Sequence, residues 1–240
     1  MAGEAPIDEA RAIRGGSPDR RVQTVELGIF LFLIVPSMVL SFFVTRQGQL
    51  TFVPVAIMTI LRDLALVGLI LFFLWRNGEA VAKVGWQFRN RRVDVVIGVL
   101  LFVPLFFGMA LLDQTLQSVG FSAPATPQPT FLEVRGVVEG LLALLLTVVV
   151  AVAEETIFRG YLILRCRALT GSVPAAVILS SIIFSIGHGY EGTAGVVTVG
   201  TMGAVLAVIY LWRQSLVAPI VMHFLQDFLS VIVLPLLASR

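Results

Sequence analysis

The stretch Leu141-Leu-Ala-Leu-Leu-Leu-Thr-Val-Val-Val-Ala-Val-Ala-Glu-Glu-Thr-Ile-Phe-Arg159 sets two adjacent carboxylates at the end of an apolar run. Thr147 is the only interruption between Leu141 and Val152. An ionisable side chain at the centre of a bilayer costs about 3 kcal/mol or more, so such residues are rare and are candidates for function. The stretch therefore predicts a membrane helix that carries a polar site.

The composition of the whole chain supports a membrane protein. Of its 240 residues, 58% are hydrophobic and 13% are charged, with a mean hydropathy of +0.95. Soluble domains average about 45–50% apolar and about 25% charged residues. Apolar stretches follow one another with short connections, which excludes a separate water-soluble module. We predict a flexible cytoplasmic tail at 1–24 and a single membrane domain at 25–240.

Apolar stretches of about 20 residues, the length that spans a bilayer, recur along the chain. They predict an all-α, polytopic transmembrane helical bundle of about seven spans, or eight, with a membrane-embedded polar site. The first stretch shows no cleavage site, so we expect it to be a retained helix. The predicted spans are 26–44, 53–75, 93–112, 137–157, 174–190, 195–212 and 216–236.

The basic residues of the connections predict the orientation, because Lys and Arg are retained on the cytoplasmic side. Twelve fall in the tail and in alternate connections, whereas Arg46, Arg135 and Arg240 fall on the other side. We expect a multi-pass protein of a bacterial plasma membrane with a cytoplasmic N-terminus. The net charge of +2 is dispersed, so no nucleic-acid partner is expected.

The glutamate helix carries two carboxylates with different surroundings. Residues four apart share a helix face, so Glu155 is expected to pair with Arg159. Glu154 points about 100° away and remains free. The sequence thus predicts one held carboxylate and one available carboxylate.

The chain has only two histidines, His188 and His223, and both fall within predicted spans. His223 and Asp227 are four residues apart, so the carboxylate could orient the ring or join it around a metal. Counting from the predicted helix break at Thr170-Gly171-Ser172-Val173-Pro174 places Glu154 and His188 at one level. Counting inward from Arg213 places His223 about 15 Å deep, at the same level.

Two further segments have structural interpretations. The level of His188 leaves Gly189-Tyr-Glu-Gly192 as a non-helical stretch at membrane depth, which is tolerated only where it is buried or lines a wet cavity. The Arg62-Asp63 pair in the second span is interpreted as a local ion pair that faces protein.

Several protease classes lack their sequence motif in this chain. It has no His-Glu-x-x-His helix motif and no Gly-x-Ser-x-Gly turn, and its intramembrane aspartates lack Gly-Asp surroundings. A water molecule activated by a glutamate is the route to peptide hydrolysis that remains.

Three motifs together resemble the CPBP intramembrane proteases, also called the ABI family, which includes the type II CAAX prenyl endopeptidases. They are Glu154-Glu155-x-x-x-Arg159, Phe184-x-x-x-His188 and His223-x-x-x-Asp227, in the family's order. The resemblance covers about 140–230 and implies a catalytic core at about 137–236. It implies that Glu154 is the general base, that His188 and His223 complete the site, and that Glu155 and Arg159 hold it. The substrate implied is a peptide or protein, prenylated or membrane-anchored.

The motifs leave a metal-dependent and a metal-free mechanism open. Eukaryotic prenyl endopeptidases have Asn at the position of Asp227, and a carboxylate there makes a divalent site more plausible. The favoured hypothesis is one divalent ion, such as zinc, held by Glu154, His188, His223 and Asp227. In a metal-free enzyme, Asp227 would serve only to orient His223.

Two other classes of function are compatible with a buried polar site. An ion-coupled transporter would also place Glu and His at mid-membrane, but such proteins usually show internal repeats, and none is found. A non-proteolytic membrane scaffold or bacteriocin-immunity protein would tolerate replacement of the site residues without phenotype.

Overall fold

The computed structural model describes residues 19–44, 50–88, 90–124 and 132–238, and within these ranges the chain is helical, with no strand. Segments of π-helix at Glu155–Leu162 and Phe228–Val233, and 3-10 turns at Val81–Val84 and Gly189–Glu191, interrupt the α-helices of the described ranges. The α-helices are α1 Arg20–Val44, α2 Phe52–Arg76, α3 Arg91–Ser118, α4 Gly136–Glu154, α5 Ile163–Thr170, α6 Val173–Ile186, α7 Gly192–Arg213, α8 Val217–Asp227 and α9 Leu234–Ala238.

The number of apolar helices confirms the predicted bundle of about seven spans. Six helical stretches among the described residues are long and apolar enough to cross a membrane, and α6 is a shorter apolar helix. The six are Arg20–Phe43, Phe52–Arg76, Arg91–Ser118, Gly136–Thr170, Gly189–Arg213 and Val217–Leu237.

Helices α1 and α3 extend beyond their predicted bounds. Helix α1 begins at Arg20, so the last five residues of the predicted tail are helical, while residues 1–18 of that tail lie outside the described residues. Helix α3 continues to Ser118, six residues beyond the predicted span. Polar residues at a helix end extend the backbone hydrogen bonding past the apolar run from which the span was predicted.

Large apolar side chains cover the outside of the bundle, as a lipid environment requires. Phe32, Leu100 and Phe107 are each exposed over more than half of their surface. The interior is built around the first π segment, where Phe158 and Tyr161 are fully buried among apolar neighbours. Helix α3 packs on α8, α2 on α4, and α6 on α7.

The predicted helix break after α5 is confirmed. Gly171 takes a left-handed conformation with φ of 71°, which glycine adopts at little cost at the end of a helix. The Ser172 hydroxyl then accepts a hydrogen bond from the amide of Ala175 at 3.3 Å and caps α6. Two antiparallel helices therefore meet at this turn.

Both π segments begin directly after a carboxylate of the predicted site. The first π segment follows Glu154 at the end of α4, and the second follows Asp227 at the end of α8. All eight residues of the first segment are buried. The sequence predicted regular helix at both places, because local residue pattern does not distinguish α from π turns. Such π turns occur frequently at functional sites.

The stretch after α6 is the predicted interruption at membrane depth, in the form of a 3-10 turn. Its backbone is satisfied by α1, because the Ser41 hydroxyl accepts from the amide of Gly189 at 3.0 Å and donates to the carbonyl of Ile186 at 3.0 Å. Gly189 is buried, and Tyr190 lines a cavity. The backbone groups of this turn that lie outside an α-helix are thereby shielded from lipid.

The described basic residues of the predicted cytoplasmic side lie at one end of the bundle. They contact neighbouring segments there: Arg20 with the Leu169 carbonyl, Arg76 with Glu26, Arg165 with Glu79, and Arg213 with Asp94. Segments predicted to share a side therefore do so. Which side of the membrane this end faces stays a prediction.

Candidate active site

A cavity of about 320 Å³ lies among α1, α2, α4 and α8, and most of its walls are apolar. Its charged and aromatic polar side chains come from four separate segments of the chain. They are Arg62, Asp63, Glu154, His188, Tyr190, His223 and Asp227. A mainly apolar cavity with a few converging polar groups is the usual form of a binding or catalytic site.

A buried chain of charges positions the ring of His223. Arg159 lies 3.1 Å from Oε1 of Glu155, which is the pair predicted from their spacing. The same Oε1 lies 2.8 Å from Nδ1 of His223. Because a carboxylate only accepts, Nδ1 of His223 carries the hydrogen and donates it. The opposite nitrogen, Nε2, therefore faces the remaining site groups.

Arg159 is itself held by packing. Its guanidinium lies 4.2 Å above the ring centroid of Phe184, and its side chain is 1% exposed. Gly203 of α7 makes room for this pair, because a Cβ there would lie 3.0 Å from the Phe184 ring and 3.4 Å from Arg159. The anchor of the His223 ring is thus a rigid part of the core.

Two carboxylates approach Nε2 of His223 from different sides. Glu154 Oε2 lies 3.8 Å from this nitrogen, and Asp227 Oδ2 lies 3.5 Å from it. Both distances exceed a good hydrogen bond, so neither carboxylate binds Nε2 directly, and a water molecule or a substrate atom beside them would bridge these groups. The Glu154 side chain keeps 14% exposure, whereas that of Glu155 has none. The available and held carboxylates are therefore distinct, as their helix positions predicted.

His188 enters the cavity from the end of α6. Its Nδ1 lies 3.3 Å from the carbonyl of Phe184, and since a carbonyl only accepts, Nδ1 carries the hydrogen. Nε2 then remains for other partners. The ring also lines a second cavity of about 330 Å³, whose other polar walls are Tyr190, Glu191, Thr198, His223, Gln226, Asp227 and Ser230.

The structure brings all six predicted site residues together, with one correction to their pairing. The sequence predicted that Asp227 orients His223 in a metal-free site, but Glu155 takes Nδ1 at 2.8 Å and leaves Asp227 at 3.5 Å from Nε2. Glu155 lies 68 residues from His223. Tertiary packing therefore gives His223 a nearer partner, Glu155, than Asp227, which lies four residues away in the sequence.

The predicted zinc ligands do not form a metal site in this arrangement. Within the described ranges, no three His, Cys, Asp or Glu side chains are placed so that they could hold a metal ion. Glu155 takes one nitrogen of His223, and the ring of His188 is held by the carbonyl of its own helix. Such hydrogen bonds at Nδ1 leave Nε2 of both rings available, so the zinc site stays a prediction.

Arg62 and Asp63 line the cavity, although the sequence interpretation placed them outside the site. The predicted ion pair between them is present, with a distance of 2.8 Å. Their sequence position held the relevant information, since an ionisable pair within an apolar span is a candidate for function in its own right.

Comparison with known proteins identifies the segment that carries these motifs. Residues 137–229 match the family model described as type II CAAX prenyl endopeptidase Rce1-like. No curated protein and no solved structure shows a significant match to the chain. The matched segment runs from α4 into the second π segment and includes all six predicted site residues. Over these residues the chain is therefore similar to the type II CAAX prenyl endopeptidases of the Rce1-like family, which confirms the resemblance predicted from its motifs.

Proposed function

We propose that this protein is an intramembrane endopeptidase of the CAAX-protease type that hydrolyses a peptide bond with a water molecule activated by Glu154. One observation carries the proposal. Glu154, His188 and His223 come from separate segments of the family-matched region and line one cavity within an apolar helical bundle. Convergence of an available carboxylate and two imidazoles suits proton transfer and charge stabilisation at a reacting carbonyl.

In the first step, Glu154 accepts a proton from a water molecule in the cavity. The water oxygen forms a bond to the carbonyl carbon of the substrate, and the carbonyl π electrons move to the oxygen. The water lies near His188, whose Nδ1 is taken by the carbonyl of Phe184. Protonated Nε2 of His223 donates to the developing oxyanion, and the carboxylate of Glu155 stabilises that imidazolium through Nδ1.

In the second step, the tetrahedral intermediate collapses. The carbonyl forms again, the bond from carbon to nitrogen breaks, and Glu154 gives its proton to the leaving amine. The products are a carboxylic acid and an amine, and the protein returns to its starting protonation state. One carboxylate serves as base and then as acid, which agrees with its partial exposure to the cavity.

The apolar walls of the cavity support a membrane-associated substrate. Ile34 and Met38 of α1, Val55 of α2 and Leu146 of α4 line the space next to the polar groups. A lipidated or membrane-anchored peptide would bury its apolar part against these side chains. A prenylated peptide is accordingly the first substrate to test.

The test compares Glu154→Gln with Glu139→Gln in liposomes, using an internally quenched peptide that ends in a farnesylated cysteine and three further residues. Glutamine keeps the shape of Glu154 but cannot take up the proton, so cleavage should fall by about 100-fold or more. Glu139 is on the same helix, 15 residues or about 22 Å away, and outside the cavity. Its variant should cleave like wild type.

Equal activity of all three proteins, or cleavage by none of them, would contradict the proposal. A phenotype that survives Glu154→Gln would favour a non-proteolytic scaffold or immunity protein. Proton or ion flux that depends on Glu154, without cleavage, would favour a transporter.

The same assay tests the metal hypothesis. In a metal-free mechanism, cleavage persists after exhaustive chelation, and Asp227→Asn keeps much of the activity. Loss of activity on chelation, restored by Zn²⁺, together with one bound equivalent of metal, would instead support the predicted zinc site.

A further inference from the structure

The Arg62–Asp63 pair lies outside the family-matched residues 137–229 and yet borders the reacting groups. Both residues belong to α2, which packs against α4, the helix that carries Glu154. The side chain of Asp63 is 1% exposed, whereas that of Arg62 is 42% exposed. A buried aspartate is therefore held at the cavity wall by a more exposed arginine.

The two oxygens of Asp63 have different surroundings. Oδ1 accepts from Nε of Arg62 at 2.9 Å and lies 2.8 Å from the terminal nitrogen of the same guanidinium. Oδ2 is buried and has no hydrogen-bond partner within the part of the chain that the structure describes. A buried carboxylate oxygen without a partner costs roughly 1–3 kcal/mol or more, so a partner is needed.

Glu154, which lines the same cavity, also has a carboxylate oxygen without a partner. Its Oε2 is likewise buried without a hydrogen-bond partner among the described residues. Arg62, Asp63 and Glu154 all line the one cavity, and the charges of the pair act on that of Glu154. The cavity is large enough for several water molecules. A bridging water would satisfy both oxygens.

We infer that Asp63 is a positioning residue that accepts one hydrogen of the attacking water through Oδ2 while Glu154 takes the other. A water molecule whose two hydrogens are both accepted directs its lone pairs away from the two carboxylates, towards a carbonyl in the cavity. Arg62 fixes Asp63 through Oδ1 and offsets its charge, which keeps Oδ2 available. This inference rests on the proposed function, because it assigns a place to the water of that reaction.

Asp94 provides a matched control. It is also a buried aspartate in a predicted span, and its Oδ1 accepts from Nε of Arg213 at 2.8 Å. It lines a different cavity, together with Gln87 and Asn90. The same substitution at Asp63 and at Asp94 therefore separates the loss of a buried charge from the loss of a group that faces the water.

The experiment measures kcat and KM for Asp63→Asn, Asp63→Ala and Asp94→Ala with the farnesylated peptide, per folded molecule. Misplacement of a reacting group costs up to about 100-fold, so we expect kcat to fall by about 10-fold in Asp63→Asn and about 100-fold in Asp63→Ala. KM should change by less than about 3-fold, because the contact proposed for Asp63 is to the water and not to the peptide. Asp94→Ala should keep wild-type kcat and KM.

Chemical rescue adds a readout that a structural role would not move. Formate should fit the space left in Asp63→Ala and restore part of its kcat, with no effect on wild type or on Asp94→Ala. The isosteric Asp63→Asn keeps the inference testable if Asp63→Ala does not fold.

The outcomes distinguish the two claims. If Glu154→Gln is inactive but both Asp63 variants keep kcat within about 2-fold of wild type, the inference is overturned and the proposed function stands. If cleavage does not depend on Glu154, both fail. A reduced kcat without rescue by formate, matched by Asp94→Ala, would also overturn the inference, since it would indicate a general effect on the fold.

Discussion

Two buried arginines, Arg159 and Arg165, lie six residues apart in the continuous helical stretch Gly136–Thr170 and belong to different ion-pair clusters. Arg159 pairs with Glu155, which in turn holds His223 at the cavity. Arg165 pairs instead with Glu79 at 2.5 Å and lies 3.6 Å from Glu26, both of which belong to other segments at the same end of the bundle. We call these the site cluster (Glu155, Arg159, His223) and the end cluster (Glu26, Arg76, Glu79, Arg165).

The comparison teaches that burial of a charge does not by itself indicate catalysis. Both arginines have side chains that are 1% exposed. The members of the end cluster bind one another and connect three segments of the chain. Glu26 accepts hydrogen bonds from Arg76, a member of the cluster, and from the neighbouring Asn77. The site cluster leads to Nε2 of His223, which faces an open cavity. What distinguishes the site cluster is a ring nitrogen that borders the cavity.

The largest combined effect is expected from Glu155→Gln, which breaks the site cluster. Arg159 would lose its buried counter-ion, at a cost of about 3 kcal/mol, and His223 would lose the anion that stabilises its charged form. Loss of such an outer partner reduces activity by about 10–100-fold, so kcat per folded molecule should fall in this range. Enzyme assays on the monodisperse fraction measure this value. Wild-type kcat in that fraction would refute the positioning role of Glu155.

Arg165→Met breaks the end cluster and should affect stability alone. Removal of one partner of a buried ion pair costs about 3–5 kcal/mol, because Glu26 and Glu79 would remain buried with fewer counter-charges. Unfolding in a denaturing detergent mixture measures the loss. Activity per folded molecule should stay at the wild-type level, and the double variant Arg165→Met/Glu79→Gln should recover part of the stability. A selective loss of kcat would show that the two clusters are coupled.

Gly160 lies between the clusters and contacts the turn Val81–Val84 beside the end cluster. A Cβ at this position would lie 2.6 Å from the carbonyl oxygen of Val84, so Gly160→Ala should destabilise the fold by about 1–3 kcal/mol. Gly140 belongs to the same continuous helical stretch, and a Cβ added there would have no atom within 4 Å. Gly140→Ala should therefore be neutral or stabilising. Thermal unfolding of the two variants compares them directly. Equal stability would contradict the close approach of turn and π segment.

The smallest effect concerns pH and the end cluster. Burial alone would raise the pKa of Glu79, but hydrogen bonds and charges from Arg165 and Lys83 outweigh it and hold the pKa below its ordinary value. A carboxyl group with a lowered folded-state pKa stabilises the fold above its unfolded pKa, and this contribution is lost as the pH falls through the folded value. Between pH 6 and pH 3 the Tm of wild type should therefore fall about 2–4 °C further than that of Glu79→Gln. Parallel curves would show that the pair contributes nothing.

The sequence predicted the spans, the break at Gly171 and the Glu155–Arg159 pair because each depends on residues near one another in the chain. Apolar length, turn chemistry and four-residue spacing are local properties. The hydrogen bond from His223 to Glu155 joins residues 68 apart, so it required the packed bundle. The π segments were missed because the same residues fit an α-helix until neighbouring helices fix their geometry.

The cavity position of Asp63 was missed for a related reason. Its ion pair with Arg62 is local and was predicted, but the wall that it faces belongs to α4 and α8. The metal hypothesis depends on four side chains reaching a common point, and it stays a prediction, because the hydrogen bond to Glu155 leaves Nε2 of His223 available. Residue identity predicted which groups converge, whereas their partners required the three-dimensional arrangement.

The short α6 also has a consequence for the surrounding lipid. Its 14 residues give a length of about 21 Å, against about 30 Å for the hydrocarbon core of a typical bilayer. Ile178 and Ile182 point outwards, so acyl chains meet this helix over only about two-thirds of their length. A thicker bilayer must thin locally around so short a helix, and the resulting stress acts on the turn that holds His188. The thickness of the host membrane thus becomes a physical variable that acts on the geometry of the site.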